Sequence, residues 1–93
     1  MEIRETANQF YIEENGEKIA RIDFLPSEEN GTKSIKVTHT VVDEAHGRKG
    51  LGKKLVHKVA EYARKNDIKI IPECWYAKRV LEKDEKYKDL IIG

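Results

Sequence analysis

The stretch that decides the fold reads HGRKGLGKK and spans residues 46–54. It contains three glycines and four lysine or arginine residues, and it leads from an apolar run into an amphipathic helical pattern. At such a turn, backbone N–H groups converge on an anion, because the first helical turn has unpaired donors and the helix dipole is positive there. The stretch therefore predicts an anion site surrounded by positive charge.

Two nucleotide-binding motifs share part of this glycine spacing, and each fails at one position. The phosphate loop G-x-x-x-x-G-K-[ST] fits Gly47, Gly52 and Lys53, but the chain has Lys54 where a hydroxyl must coordinate magnesium. The dinucleotide motif G-x-G-x-x-G requires a third glycine where the chain has Leu55. A diphosphate that is held without magnesium is the anion that this spacing favours.

The composition is that of a single globular domain over residues 1–93. The formal net charge of +1 disfavours a dedicated nucleic-acid binder, because such domains usually carry a basic excess. Cys74 is the only cysteine, so no intramolecular disulfide forms, and the spacing of cysteine and histidines predicts no metal site. No apolar run resembles a signal peptide or a membrane span. We expect a cytoplasmic monomer with no membrane or nucleic-acid partner.

The alternation of apolar and polar residues predicts three antiparallel strands before the glycine stretch. They are expected at residues 8–14, 17–25 and 34–42. Asn15-Gly16 favours a tight hairpin between the first two, and the polar residues 26–33 predict a longer connection before the third. On the third strand, the alternation places four side chains on one face: Ile35, Val37, His39 and Val41.

After the glycine stretch, the apolar period changes to that of a helix over residues 50–66. The short apolar run at 68–72 predicts a buried strand, so the helix should connect two parallel strands. A second helix is expected at 75–83 and a short last strand at 90–92. The predicted class is α+β, with an antiparallel sheet that becomes parallel near its end.

The sequence VDEAHGRKGLGKKL at residues 42–55 resembles the acyl-CoA-binding signature of the GNAT N-acetyltransferases. In that family, R/Q-x-x-G-x-G/A follows a strand and opens the helix that holds the CoA pyrophosphate. Gly50 and Gly52 match the glycine positions, whereas Gly47 occupies the Arg/Gln position and Arg48 follows one residue later. The segment PECWY at residues 72–76 is similar to the P-x-C-x-[FY] motif of very small GNAT-like proteins, whose length and closing sequence also resemble this chain.

The resemblance implies a minimal GNAT fold built around a β-helix-β cofactor-binding unit, with a second helix near the C-terminus. It implies that the protein binds acetyl-CoA or CoA and transfers the acetyl group to an amine of a protein lysine or a small molecule, in an open acceptor pocket. A CoA- or acyl-CoA-sensing module without turnover is the alternative function. The implied cofactor-binding residues are Val41, Val42, Gly47, Arg48, Lys49, Gly50, Leu51, Gly52, Lys53 and Lys78. Lys78 and its neighbour Arg79 could each reach a phosphate of CoA, or they are solvated positions of the second helix.

The catalytic candidates are Cys74, Tyr76 and His39. Larger family members carry N-x-x-A-x-x-x-Y, whose tyrosine protonates the departing thiolate, but here Cys74 and Leu81 occupy the outer positions. Cys74 is expected at a helix N-terminus, where the dipole favours a thiolate, and it could be a nucleophile, a proton donor or a small buried hydrophobe. Tyr76 is either the substitute proton donor or an aromatic cover of the sheet. His39 is either a core histidine or a base at the cofactor edge.

Overall fold

The computed structural model describes residues 2–92, apart from the side chain of Glu29. Five strands form one sheet in chain order: β1 Ile3–Thr6, β2 Gln9–Glu14, β3 Glu17–Glu29, β4 Thr32–Val42 and β5 Lys69–Pro72. Neighbouring strands from β1 to β4 are antiparallel, and β5 is parallel to β4. The predicted mixed α+β fold, with a sheet that turns parallel at its end, is confirmed.

Two helices pack on one face of the sheet: α1 at Leu51–Lys65 and α2 at Trp75–Lys83. Turns of 3₁₀ helix follow β4 at Glu44–His46 and α2 at Glu85–Leu90. The inward side chains of β2 to β5 and of both helices form a single buried cluster. In the described part of the chain, no helix covers the other face of the sheet.

Both hairpins among β2, β3 and β4 turn on Asn-Gly. Asn15 and Gly16 have φ of 51° and 82°, and Asn30 and Gly31 have φ of 51° and 80°. Two residues with positive φ form the turn whose twist matches that of the flanking strands. The predicted hairpin at 15–16 is confirmed, but the long connection predicted at 26–33 is wrong, because β3 and β4 continue to a second tight hairpin.

Pro26 lies within β3, although proline lacks the N–H that a central strand needs. The pairing of β2 with β3 ends at Gln9 and Asp23, so the outer edge of β3 is unpaired at Pro26. Pro26 pairs with Ile35 of β4 on its other side. The proline is therefore tolerated because β3 is locally an edge strand at this position. The sequence could not show that edge, because it depends on where β2 ends.

The two ends of the chain also differ from the expectation. β1 pairs with β2 although only Ile3 of this strand is even half-buried, so it has no apolar alternation to reveal it. The short strand predicted at 90–92 is reduced to a single parallel bridge between Ile70 and Ile91, supported by an Ile92 N–H···O Ile70 hydrogen bond of 2.9 Å. The residues before that bridge form the 3₁₀ turn instead.

A β-bulge in β4 places His39 on the opposite face of the sheet from the one predicted. Asp23 pairs with His39 whereas Phe24 pairs with Val37, so Thr38 is an extra residue in β4. One extra residue reverses which side chains face the core. The prediction that His39 shares a face with Val37 is therefore wrong, and His39 is exposed on the helix-free face.

The same bulge changes the end of β4 that follows it. Thr40 and Val42 are half-buried and turn towards the helices, whereas Val41 is 41% exposed. Polar and apolar residues that the simple alternation would place outside are thus brought next to α1 and α2. The bulge decides which residues can form a site at the end of this strand.

Candidate active site

β4 and β5 separate at their carboxyl ends. Their last pair is Val37 with Pro72, after which Glu73 and Cys74 both donate backbone N–H groups to the Val37 carbonyl at 3.0 Å. The chain then turns into α2, while β4 continues to Val42 without β5 beside it. The separation leaves an opening between the end of β4 and the beginning of α2.

A cavity of about 280 Å³ fills this opening, and we call it the cleft. Residues of β4, the glycine loop, α1 and the start of α2 line it: Thr40, Val42, Gly47, Gly50, Leu51, Gly52, Cys74, Trp75 and Tyr76. Six of the predicted cofactor-binding or catalytic positions from the loop and α2 therefore meet here, together with Val42. The fold brings Gly52 and Cys74, which lie 22 positions apart in the sequence, to the same cavity.

The backbone of β4 presents polar groups to the cleft. The Asp43 N–H donates to the Ile19 carbonyl of β3 at 2.7 Å. Backbone groups of alternate residues point to opposite sides of a strand, so those of Thr40 and Val42 point away from β3. They point towards the side that β5 has left. Peptide N–H groups are therefore available where the two strands separate.

α1 begins with free backbone donors at the rim of the cleft. Gly50 precedes the helix in a left-handed conformation, with φ of 69°, and no side chain caps the helix. Lys54 donates the first α-helical N–H, to the Gly50 carbonyl at 3.1 Å. The N–H groups of Leu51, Gly52 and Lys53 thus precede the first intrahelical bond. Because left-handed φ is costly for other residues, Gly50 is needed for this entry into the helix.

Cys74 is the residue directly before α2 and is buried. Its thiol donates a hydrogen bond to the Thr40 hydroxyl, with a sulfur-to-oxygen distance of 3.5 Å. Burial raises the pKa of the Cys74 thiol. The thiolate form instead accepts hydrogen bonds from the Ala77 N–H, the Thr40 hydroxyl and the Tyr76 N–H, and together these bring the pKa below its ordinary value. The site therefore stabilises the thiolate form of Cys74.

The resemblance implies a role for the backbone at Thr40–Val42, but it did not predict that the side chain of Thr40 takes part in the site. It contacts Cys74 across the cleft, and its backbone also lowers the pKa of the thiol. Simple alternation along β4 would turn its side chain away from the core, and the Thr38 bulge turns it inward. No signal in the sequence marks that bulge.

Tyr76 forms the wall between the cleft and the first turn of α1. A Cβ atom at Gly52 would lie 3.1–3.3 Å from three atoms of the Tyr76 ring, which is closer than normal contact. The glycine therefore permits the ring to lie on the helix, in addition to leaving the helix N-terminus open. Trp75 stands beside the ring, with centroids 6.0 Å apart, and is 72% exposed at the mouth of the cleft.

The remaining predicted residues lie outside the cleft lining. Arg48 and Lys49 are exposed on the loop, and Lys53 lines a second cavity between α1 and α2. His39 and Val41 lie on the helix-free face, and Val41 lines a shallow cavity with residues of β3. Lys78 is exposed and lines neither the cleft nor the cavity between α1 and α2.

Within residues 2–92, no group of three or more histidine, cysteine or carboxylate side chains is arranged to hold a metal ion. None of the helices in that range is both long and apolar enough to cross a membrane.

The sequence profile of the GCN5-related N-acetyl-transferase family matches residues 9–90. This match includes β2 to β5, both helices and all the residues that line the cleft. The chain belongs to the GCN5-related N-acetyltransferase family and is, as a member, an N-acetyltransferase.

Among solved structures, the chain is similar to a GCN5-like protein from Staphylococcus aureus. The two are 39% identical, the match covers 99% of this chain and 88% of that one, and the TM-score is 0.77. The similarity to this protein therefore extends over nearly the whole of both chains. A search of curated protein sequences finds no match.

Larger acetyltransferases share the fold over part of their length. A glucosamine-6-phosphate N-acetyltransferase from Arabidopsis thaliana is 25% identical, with a TM-score of 0.67, and the match covers 81% of this chain and 55% of that one. A ribosomal-protein-alanine N-acetyltransferase from Brucella melitensis is 20% identical, with a TM-score of 0.66 and coverage of 81% and 59%. The chain thus spans little more than half the length of these two enzymes.

Proposed function

We propose that the cleft binds acetyl-CoA and that the protein transfers its acetyl group to an amine. One observation carries the proposal: the separated ends of β4 and β5, an uncapped helix N-terminus and a thiol with a lowered pKa surround a single cavity. The separated strands and the open helix N-terminus are the features that hold a CoA thioester in a GCN5-related fold. Acyl transfer also requires a group that donates a proton to the departing sulfur. We propose that one domain and one chain supply all three.

The pyrophosphate is assigned to the beginning of α1. The free N–H groups of Leu51, Gly52 and Lys53 are donors for its oxygens, and the positive end of the helix dipole stabilises its charge. Arg48 and Lys49 add a positive field from the loop. No magnesium is needed, because the pyrophosphate is held and not cleaved.

The pantetheine arm is assigned to the opening between β4 and α2. It would replace β5 as the neighbour of Thr40 and Val42, whose backbone groups point to that side. A peptide N–H at this strand end can donate to the thioester carbonyl, where negative charge develops during the attack by the amine. The thioester sulfur would then lie near Cys74.

The proton chemistry follows from the lowered pKa of Cys74. A neutral amine attacks the carbonyl carbon, a C–N bond forms, and the C–S bond of the tetrahedral intermediate breaks. The CoA thiolate takes the proton of the Cys74 thiol, and this transfer is favoured because hydrogen bonds from Ala77 and Thr40 stabilise the Cys74 thiolate that it leaves. The attacking nitrogen, which carries one extra proton after the attack, releases it to solvent, and the Cys74 thiolate takes up a proton from solvent. The products are therefore a neutral amide and the CoA thiol.

Tyr76 and His39 have secondary roles in this proposal. Tyr76 shapes the cofactor site by lying on Gly52, and its hydroxyl is the second proton donor at the cleft. His39 is exposed on the helix-free face near the end of β4, so it can accept a proton from an amine that approaches from that face. The acceptor side is open, which suits either a protein lysine or a small amine. We also propose, from the P-x-C-x-[FY] resemblance, that the chain belongs to a small GNAT-like subfamily.

The test combines binding and turnover. We expect CoA to shift the amide signals of residues 47–55 in an NMR titration, and acetyl-CoA to release thiol when polyamines or lysine peptides are added. Absence of the shifts at millimolar CoA would contradict the proposal. Shifts without amine-dependent thiol release would instead identify the alternative, a CoA-sensing module.

A further inference from the structure

We infer that the cavity between α1 and α2 is a phosphomonoester site, and that it takes the 3′-phosphate of CoA. The inference rests on the proposed function, since it assigns a further part of the same ligand. It adds a recognition element outside the glycine loop, and apart from Lys53 its basic residues are not part of the motifs that carry the resemblance. We call this space the helix-pair cavity.

The helix-pair cavity has a volume of about 330 Å³. Its lining combines four basic side chains with two apolar surfaces and one carboxylate: Lys53, His57, Tyr76, Arg79, Val80, Lys83 and Asp84. Arg79 and Lys83 are four residues apart on α2, and Lys53 and His57 are four residues apart on α1. Side chains at this spacing lie on the same face of a helix, so both helices direct nitrogen donors into one space.

The lysine and arginine side chains of this cavity have no anionic partner among the described residues. None of the ion pairs among the described residues includes Lys53, Arg79 or Lys83. Cations four residues apart on a helix destabilise it, so the arrangement is unfavourable without a ligand. The one carboxylate, Asp84, accepts a hydrogen bond from the Lys86 N–H at 3.1 Å and caps the following 3₁₀ turn. The cavity thus has an excess of positive charge that an anion would neutralise.

The helix-pair cavity adjoins the proposed pyrophosphate site. Tyr76 lines both the cleft and this cavity, and Lys53 belongs to the first turn of α1 and lines the cavity. His57 is one further helical turn away, about 5.4 Å along the axis. In CoA, one ribose separates the pyrophosphate from the 3′-phosphate. A ligand whose pyrophosphate lies at the start of α1 can therefore place its 3′-phosphate among these cations.

The position also explains which basic residues of α2 can take part. The sequence left both Lys78 and Arg79 as residues that could reach a phosphate of CoA. Only Arg79 lines the helix-pair cavity, together with Lys83, whereas Lys78 does not. A guanidinium binds phosphate through two parallel N–H donors, so Arg79 is the residue best suited to recognise a dianion.

The inference is tested with two ligands that differ only in the 3′-phosphate, CoA and dephospho-CoA. We expect calorimetry to show about tenfold tighter binding of CoA to the wild-type protein, as charge-assisted hydrogen bonds of this kind contribute. Arg79→Gln and Lys83→Gln should each weaken CoA binding about three- to tenfold and leave dephospho-CoA binding unchanged. Lys65→Gln removes the same charge from the exposed C-terminal turn of α1 and should change neither affinity.

The outcomes separate this inference from the proposed function. If the wild-type protein binds neither ligand, the proposed function is wrong and the inference falls with it. If it binds both with the same affinity, or if Arg79→Gln weakens both equally, only the 3′-phosphate assignment is overturned. Inorganic phosphate that shifts the Arg79 signals while CoA and dephospho-CoA bind alike would show a site for free phosphate, which also overturns it.

Discussion

The two ends of α1 treat their polar groups in opposite ways. At the N-terminal end, the helix has no side-chain cap and the cations around it make no ion pair among the described residues. At the C-terminal end, Arg64 binds both oxygens of Asp89 at 3.2 and 3.0 Å, and Tyr87 donates to Glu61 at 2.6 Å. The first end is arranged to receive an anion, whereas the second is satisfied within the protein.

This contrast separates function from stability along one helix. Unpaired donors and cations lower the stability of the free protein, but ligand binding to them stabilises the folded state. The groups of the C-terminal end already contribute in the free protein, where they attach the 3₁₀ turn at Glu85–Leu90 to α1. Changes at the first end should therefore alter cofactor handling, and changes at the second should alter stability alone.

The largest expected effect is on catalysis at the cleft. Cys74→Ala should lower amine-dependent thiol release from acetyl-CoA about 100-fold, the contribution typical of a general acid. CoA affinity should stay within a factor of about two, because the side chain acts on the sulfur only during transfer. Steady-state thiol release and calorimetric titration measure the two quantities. Full activity in the alanine variant would show that Cys74 is only a packing residue.

A smaller effect is expected at the contact between α1 and Tyr76. Gly52→Ala places a methyl group 3.1–3.3 Å from the ring, which must move towards the cleft. We expect CoA affinity to fall about tenfold, corresponding to about 1.4 kcal/mol. Gly31→Ala is the control, because it strains a hairpin with φ of 80° but lies far from the cleft in the fold. Equal CoA affinities of Gly52→Ala and wild type would contradict the role given to this contact.

Tyr87→Phe should affect the other end of α1 and leave the cleft intact. Removing the hydroxyl that donates to Glu61 should lower the free energy of unfolding by about 1 kcal/mol, with no change in CoA affinity. Urea denaturation measures the first quantity. A loss of CoA affinity in this variant would break the division between the two ends.

The same hydrogen bond predicts a pH dependence of stability. Burial, together with the Glu61 carboxylate, raises the pKa of Tyr87 to about 12. The folded state therefore favours the neutral phenol, so this stabilisation is complete below the unfolded-state pKa of about 10 and is lost as the pH rises to about 12. Urea midpoints of wild type should fall over this range more than those of Tyr87→Phe. Parallel curves would contradict the assignment.

The smallest expected effect is a shift of a pH profile. Thr40→Val removes the hydroxyl that lowers the pKa of Cys74, so this pKa should rise. Because Cys74 acts as a proton donor, kcat should fall as the pH rises through the pKa of its thiol. In Thr40→Val this fall should occur at higher pH than in the wild-type protein. Thr40→Ser keeps the hydroxyl and is the control. An unchanged alkaline limb would show that Thr40 does not tune the thiol.

The sequence predicted α1, β5 and α2 closely, because their signals are local. The helical period of α1 and the apolar run of β5 each extend over enough residues to be read without neighbours. Strand β1 escaped prediction because its pairing with β2 requires no buried face. The continuation of β3 through Pro26 escaped it because the free edge that tolerates proline arises from where β2 ends.

The glycine loop could be assigned to an anion from the sequence alone, since glycine spacing, basic residues and the start of a helix are properties of consecutive residues. The partners of Cys74 and the faces of His39 and Thr40 depended on the tertiary structure. One unpaired residue, Thr38, reverses the alternation of β4, and a bulge is set by the register between strands. Likewise, only the packing of α2 on α1 showed that Arg79 and Lys83, and not Lys78, face Lys53, because the rotation of a helix is fixed by the surface it buries.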